Sequence, residues 1–145
     1  MALAANPLSK SICLAGTFES VGVARGFVRD VLGEGHPDID VVTLLASELT
    51  ANAVRHSRSG RREGGRLVVT VAVGDAGVRV EVVDEGADDT VPVVAGREDA
   101  LSEGGRGLWL VREMAAEWGW AEDGVGRTVW FHVGADGGGL VEEGD

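Results

Sequence analysis

The stretch ELTANAVRH, from Glu48 to His56, places an acid, an amide and an imidazole among apolar residues. At about 100° per residue, one side of a helix carries two leucines followed by the amide and the imidazole, namely Leu45, Leu49, Asn52 and His56, with Glu48 at its edge. The leucines need burial, and a polar group left unpaired beside them costs roughly 1–3 kcal/mol. The amide and the imidazole therefore need either internal hydrogen bonds or a ligand.

Hydrophobic periodicity on both sides of this stretch predicts the remaining elements. These are a strand at 11–16, helices at about 20–33 and 38–57, strands at 67–73 and 78–83, a helix at 108–118, and a hairpin pairing about 118–122 with 127–133. Two consecutive helices and two hairpins do not fit an alternating doubly wound sheet. We therefore predict an α/β protein of the α+β type: a two-layer sandwich whose mixed, mostly antiparallel sheet carries three helices on one face.

Length and composition indicate one domain over residues 1–133, followed by a disordered, acidic, glycine-rich tail over 134–145. Residues 87–106 show no lasting periodicity and are predicted to be a mobile loop.

The N-terminus lacks a basic start and a long apolar core, and no run of about 18 apolar residues occurs, so we expect a cytoplasmic protein that is not bound to a membrane. Cys13 lies in an apolar run, where we expect a buried, inert thiol.

The charges of the chain bear on which ligands it can bind. A net charge of −11 disfavours nucleic acid as a direct partner. A local group of arginines is either part of a solvated loop or a landing site for phosphate or an acidic partner; its members are Arg55, Arg58, Arg61, Arg62 and Arg66. Lys10 is the one lysine and lies outside any glycine-rich loop, which excludes a P-loop.

Two further segments carry chemistry-bearing residues in a suggestive order. Asp84-x-Gly86 ends a predicted buried strand, and Gly105-x-Gly107-Leu108 opens a predicted helix. Taken singly, an acid after a strand is usually a turn residue, and a glycine-rich helix start is usually a flexible turn.

Together with Asn52-Ala53-x-x-His56, these segments resemble the N, G1 and G2 boxes of the Bergerat fold, the ATP-binding fold of the histidine-kinase-like ATPases. Arg127-Thr128-Val129-Trp130 is similar to the threonine-bearing final strand of that fold, and the resemblance covers about residues 11–133. The stretch Ser47-Glu48-x-x-x-Asn52-Ala53-x-x-His56-Ser57 most resembles the stand-alone anti-sigma-factor serine/threonine kinases typical of actinobacteria.

The resemblance implies that ATP and Mg²⁺ are bound. Asp84 would accept a hydrogen bond from the exocyclic amine of adenine, and Gly86 would let the backbone approach the base closely. Thr128 would support the contact with adenine. Asn52 would give Mg²⁺ an oxygen ligand. Glu48 would act as the general base that takes the proton of the attacking hydroxyl.

The resemblance also assigns the phosphates of ATP to the glycine-rich helix start. Backbone N–H groups of Gly105, Arg106, Gly107 and Leu108 would cradle them, assisted by the helix dipole, and the Arg106 side chain could add a charge. His56 would shape the pocket, although a hydrogen-bonded core histidine explains the same residue.

The implied function is phosphoryl transfer from ATP to serine or threonine of an anti-anti-sigma (STAS-like) partner, with a sigma factor sequestered when that partner is absent; a homodimer is compatible with this branch. One alternative is a non-catalytic ATP-binding or degenerate interaction module, which is favoured by Asp88 at the second glycine position of the G1 box and by the acidic residues of 87–104. Another is a detached catalytic domain that phosphorylates a histidine of a separate protein.

Overall fold

The computed structural model describes residues 8–86, 106–124 and 126–134, with the backbone alone for 106–109. The elements follow in the order β1 (Leu8–Ala15), α1 (Glu19–Leu32), α2 (Ile39–His56), α3 (Arg58–Arg61), β2 (Arg66–Gly74), β3 (Gly77–Asp84), α4 (Arg106–Met114), β4 (Glu117–Glu122) and β5 (Arg127–Val133). The predicted α+β class is confirmed.

The five described strands form one sheet in the order β1-β2-β3-β5-β4. Every neighbouring pair among them is antiparallel. The hairpin between β2 and β3 pairs Gly74 with Gly77, which has a φ of 123° that favours glycine. Strand β3 is central, because β2 and β5 flank it and the edges are β1 and β4.

Alternation along the strands divides the sheet into two faces. One face turns valines, leucines and Phe131 toward the helices, where they are buried with Leu45, Leu49 and Val28. Helix α2 packs against α1, α4 and β3, so it is the central helix of the second layer. The opposite face of the sheet, here called the outer face, carries no helix among the described residues.

Three predictions about the chain differ from the structure. The short helix α3 lies where a continuous loop was predicted. The third long helix ends at Met114 rather than Trp118, because Glu117–Glu122 pairs with β5 as a strand and Trp118 lies opposite Phe131. Cys13 is exposed rather than buried, since Leu14 takes the helix-facing position and directs Cys13 to the outer face of an edge strand.

Several predictions fall outside the described residues. Of the loop predicted over 87–106, only Arg106 is described, and α4 begins there. Of the tail predicted over 134–145, only Gly134 is described. Both stay predictions. None of the helices in the described ranges is long and apolar enough to cross a membrane.

Candidate functional site

Helix α2 supplies the first side of the candidate site. Its buried residues include Leu45, Leu49 and Ala53, which face the sheet. Glu48 and Asn52 stand one turn apart at the border of this face, and both are half-buried. The apolar residues of α2 thus fix the direction in which its acid and its amide project.

Asp84, the last residue of β3, supplies the second side. It has the same parity as Val80 and Val82, so its carboxylate points toward the helices, and only 4% of the residue is exposed. Its Oδ1 accepts the backbone N–H of Gly86 at 2.6 Å. The strand therefore delivers an acid into the core, as the sequence predicts.

Gly86 turns the chain directly after this acid. Its φ of 82° is one that favours glycine, and its carbonyl oxygen accepts the backbone N–H of Arg58 at 2.7 Å. A Cβ at this position would lie 3.2 Å from the guanidinium of Arg58 and 3.5 Å from the carboxylate of Glu122. The turn after β3 is thus tied to the first residue of α3.

A small cavity lies between α2 and the sheet. It measures about 10 Å³ and is lined by Leu49, Asn52 and Ala53 of α2, Val82 and Asp84 of β3, and Arg127 and Val129 of β5. The structure thus brings Asn52 and Asp84 together across the two layers, although they lie far apart in the sequence. Glu48 and His56 are not among the described residues that line this cavity; His56 is the half-buried last residue of α2.

Thr128 lies on the other face of β5 from Arg127. Strand β5 points it to the outer face, where it lines a pocket of about 360 Å³ whose lining also includes Val68, Val83 and Asp84. Its neighbour Arg127 faces the helices, and the Arg127 Nη2 atom lies 3.6 Å from Asp84 Oδ2. The role of Thr128 in supporting an adenine bound at Asp84 stays a prediction.

The sequence pattern of β5 indicates that Arg127 is buried. Val129, Phe131 and Val133 are the apolar residues of β5, and strict alternation puts Arg127 on their face. An arginine at an apolar-face position is unusual enough to mark a paired, buried charge. The side chains of Arg127 and Asp84 are 3% and 1% exposed.

Burial raises the pKa of Asp84 above its ordinary value of 3.8, because a charged carboxylate is poorly solvated there. The N–H of Gly86 and the guanidinium of Arg127 oppose this rise, and the nearby charge of Glu122 adds to it. Asp84 is thus a buried acid whose ionised form depends on its partners.

The glycine-rich segment leads into a helix, as the sequence predicts. Helix α4 begins at Arg106 and contains Gly107 and Leu108 in its first turn, while Gly105 lies outside the described residues. The first backbone N–H groups of a helix have no partner within it, and anions bind there readily. Within residues 8–86, 106–124 and 126–134, no group of three or more His, Cys, Asp or Glu side chains is arranged to hold a metal ion.

Comparison with known proteins identifies the family. The model of the histidine kinase-like ATPase domain matches residues 14–133, most of the chain. The chain therefore belongs to the histidine kinase-like ATPase domain family, and this membership supports ATP binding. The comparison with curated proteins gave no match.

Proposed function

We propose that this chain binds ATP with Mg²⁺ between α2 and the sheet and transfers the γ-phosphoryl group to a serine or threonine of a partner protein. The observation that carries the proposal is the common cavity of Asn52 and Asp84 in a member of an ATPase family. A buried carboxylate suits the exocyclic amine of adenine. An amide oxygen suits Mg²⁺, which takes few protein ligands and uses phosphate oxygens and water for the others.

Glu48 is the proposed general base. It lies on α2 one turn before Asn52, on the same border of the helix. The hydroxyl oxygen of the acceptor forms a bond to the γ-phosphorus while the bond from that phosphorus to the β–γ bridging oxygen breaks. Glu48 takes the hydroxyl proton, and ADP leaves with the bond electrons. A base of this kind contributes about 10²–10⁴-fold in rate.

The proposed partner is a small anti-anti-sigma protein of the STAS-like class, with a sigma factor sequestered when that protein is absent. This part of the proposal rests on the resemblance of the Ser47–Ser57 stretch to stand-alone anti-sigma-factor kinases. A homodimer and a cytoplasmic location belong to the same proposal.

The chemistry is tested with labelled ATP, Mg²⁺ and proteins captured from native cells by the full chain. We expect Glu48→Gln to reduce transfer at least about 10²-fold, because the base is lost, while ATP affinity in calorimetry is unchanged. Glu19→Gln, an exposed acid of α1, is the matched control and should transfer normally. A fully active Glu48→Gln variant would contradict the role of Glu48.

A second candidate function is a nucleotide-binding or degenerate interaction module without transfer. The ion pair of Arg127 with Asp84 favours it, since this pair engages the carboxylate that adenine would need. The same assay separates the candidates: acid-stable label on the partner indicates serine or threonine, acid-labile label indicates histidine, and bound ATP without label on any protein indicates the module.

A further inference from the structure

Arg127 has an acidic residue on each of its two neighbouring strands. It lies directly opposite Asp84 on β3 and directly opposite Glu122 on β4, so it stands between two carboxylates on neighbouring strands. The Cβ atoms of residues that are opposite each other on antiparallel strands are about 4.5–5.5 Å apart, within easy reach of an arginine. In the structure the guanidinium is on Asp84, at 3.6 Å.

The two carboxylates differ in their surroundings. Asp84 is buried in the cavity beside Asn52, whereas Glu122 is exposed at the end of the edge strand β4. Glu122 is nevertheless close enough to act on the charge of Asp84. If the Arg127 guanidinium leaves Asp84, a second carboxylate, that of Glu122, therefore lies within reach on the same face of the sheet, next to solvent.

Among the described residues, the contact with Asp84 leaves little space for a ligand in the cavity that Asp84 shares with Asn52. Both carboxylate oxygens of Asp84 have partners, since Oδ1 accepts the N–H of Gly86 and Oδ2 faces Arg127. The remaining cavity of about 10 Å³ holds no more than one water molecule. A purine is several times larger, and it needs an oxygen of this same carboxylate.

We infer that Arg127 is an internal competitor of the nucleotide base: its guanidinium holds Asp84 in the free protein and moves to Glu122 when the base enters. The inference rests on the proposed use of Asp84 for adenine. Arg127 then sets the nucleotide affinity of the site, because only molecules in which the pair with Asp84 is open can bind. Glu122 sets how readily the pair opens.

The first test is calorimetric titration of the full chain with ATP and Mg²⁺. Arg127→Thr should lower the ATP Kd by about tenfold or more, since a binding-competent fraction of ~10% or less raises the apparent Kd of the wild type by that factor. Arg25→Ala, an exposed arginine of α1, is the charge-matched control and should bind like the wild type. The titration is best run at about pH 8, because loss of Arg127 raises the pKa of Asp84 and this acid must be ionised.

The second test concerns the other carboxylate. Glu122→Gln should raise the ATP Kd in the wild-type background and have a clearly smaller effect in the Arg127→Thr background, because the guanidinium of Arg127 is then absent. Glu117→Gln is the matched control: it lies on the same strand, is exposed, and has no Cα pairing with Arg127. An equal effect of Glu122→Gln in both backgrounds would overturn the exchange between carboxylates.

Removing a buried charge can impair folding, so two measurements do not depend on Arg127→Thr. Arg127→Lys keeps the positive charge with a smaller end group and should give an intermediate ATP Kd. In the wild type, the Nε–H resonance of Arg127, assigned by its loss in Arg127→Lys, should shift on addition of ATP and exchange faster with water. An unshifted resonance at saturating ATP would overturn the inference.

The outcomes separate this inference from the proposed function. Binding of ATP by the wild type with equal or weaker binding by Arg127→Thr overturns the inference and leaves ATP binding intact. Failure of both proteins to bind ATP overturns both. Binding by Arg127→Thr alone supports the inference in its strongest form.

Discussion

Asp84 is unfavourable to bury, yet it is the residue proposed to bind adenine. Burial of its carboxylate is unfavourable, and the structure compensates with the N–H of Gly86 and the guanidinium of Arg127. A site that needs an ionised acid in an apolar setting must supply such partners. In this protein one of them, Arg127, is itself able to withdraw.

The raised pKa of Asp84 predicts how stability depends on pH. The folded state holds this proton more tightly than the unfolded state, so the stabilisation from Asp84 is complete below the ordinary pKa of 3.8 and is lost as pH rises through the higher folded-state pKa. We expect the free energy of unfolding of the wild type, relative to that of Asp84→Asn, to fall with rising pH in this window.

Urea unfolding at a series of pH values measures this difference. Asp75→Asn, in the exposed turn between β2 and β3, is the control and should follow the wild-type profile. A pH-independent difference between the wild type and Asp84→Asn would show that Asp84 ionises alike in both states.

At the scale of elements, the connection from α2 to β2 holds the end of β3 in place. Ser59 is buried; its Oγ donates to the carbonyl of Arg66 at 2.6 Å and accepts the N–H of Glu85 at 2.9 Å. Arg62 adds an ion pair to Glu85 at 2.6 Å. The basic residues after α2 are thus partly structural, since they fix the strand end that carries Asp84.

Close backbone packing in this connection predicts the effect of a single methyl group. A Cβ at Gly65 would overlap the carbonyl oxygen of Ser59, which cannot move without disturbing Glu85. We expect Gly65→Ala to lower the free energy of unfolding by about 1–3 kcal/mol, as overpacking does, and to weaken ATP binding.

Gly22 on α1 is the matched control, because a Cβ placed there has no neighbour within 4 Å in the described part of the chain, apart from its chain neighbours and the backbone of its own helix. Gly22→Ala should stabilise the helix by about 0.5–1 kcal/mol in the same unfolding measurement, since alanine restricts the unfolded chain and favours helix. Equal effects of the two substitutions would contradict the close packing at Gly65.

At the scale of the whole molecule, the proposed site joins the two layers. Asn52 comes from the helical layer and Asp84 from the sheet, so a ligand that contacts both should oppose their separation. Ligand binding to the folded state alone stabilises it by mass action.

We therefore expect ATP with Mg²⁺ at about 100 times its Kd to add about 2.7 kcal/mol to the free energy of unfolding. Thermal unfolding with and without a chelator measures the share that depends on the metal. Asn52→Ala should abolish that share and keep a metal-independent remainder. Persistence of the metal dependence in Asn52→Ala would place the metal at other residues.

The sequence by itself determined the α+β class, most of the elements and the buried face of α2 and β3. The apolar side of α2, the alternation of β3 and the glycine-rich start of α4 depend on spacing within one segment, and backbone geometry converts such spacing directly into a face. The same alternation would have placed Arg127 on the buried face of β5. Cys13 was mispredicted because an apolar run does not say which of its residues an edge strand leaves exposed.

Only the tertiary structure decided which segments became neighbours. The strand order puts β5 between β3 and β4, and with the register of these strands it sets Arg127 between Asp84 and Glu122. The packing of α2 on the sheet places Asn52 across from Asp84. The sequence predicted the hairpin of β4 and β5, but local periodicity carries no information about which strand lies on the other side of β5. Pairing between distant strands depends on the packing of the whole core. The partner of a buried charge is therefore determined only in the folded structure.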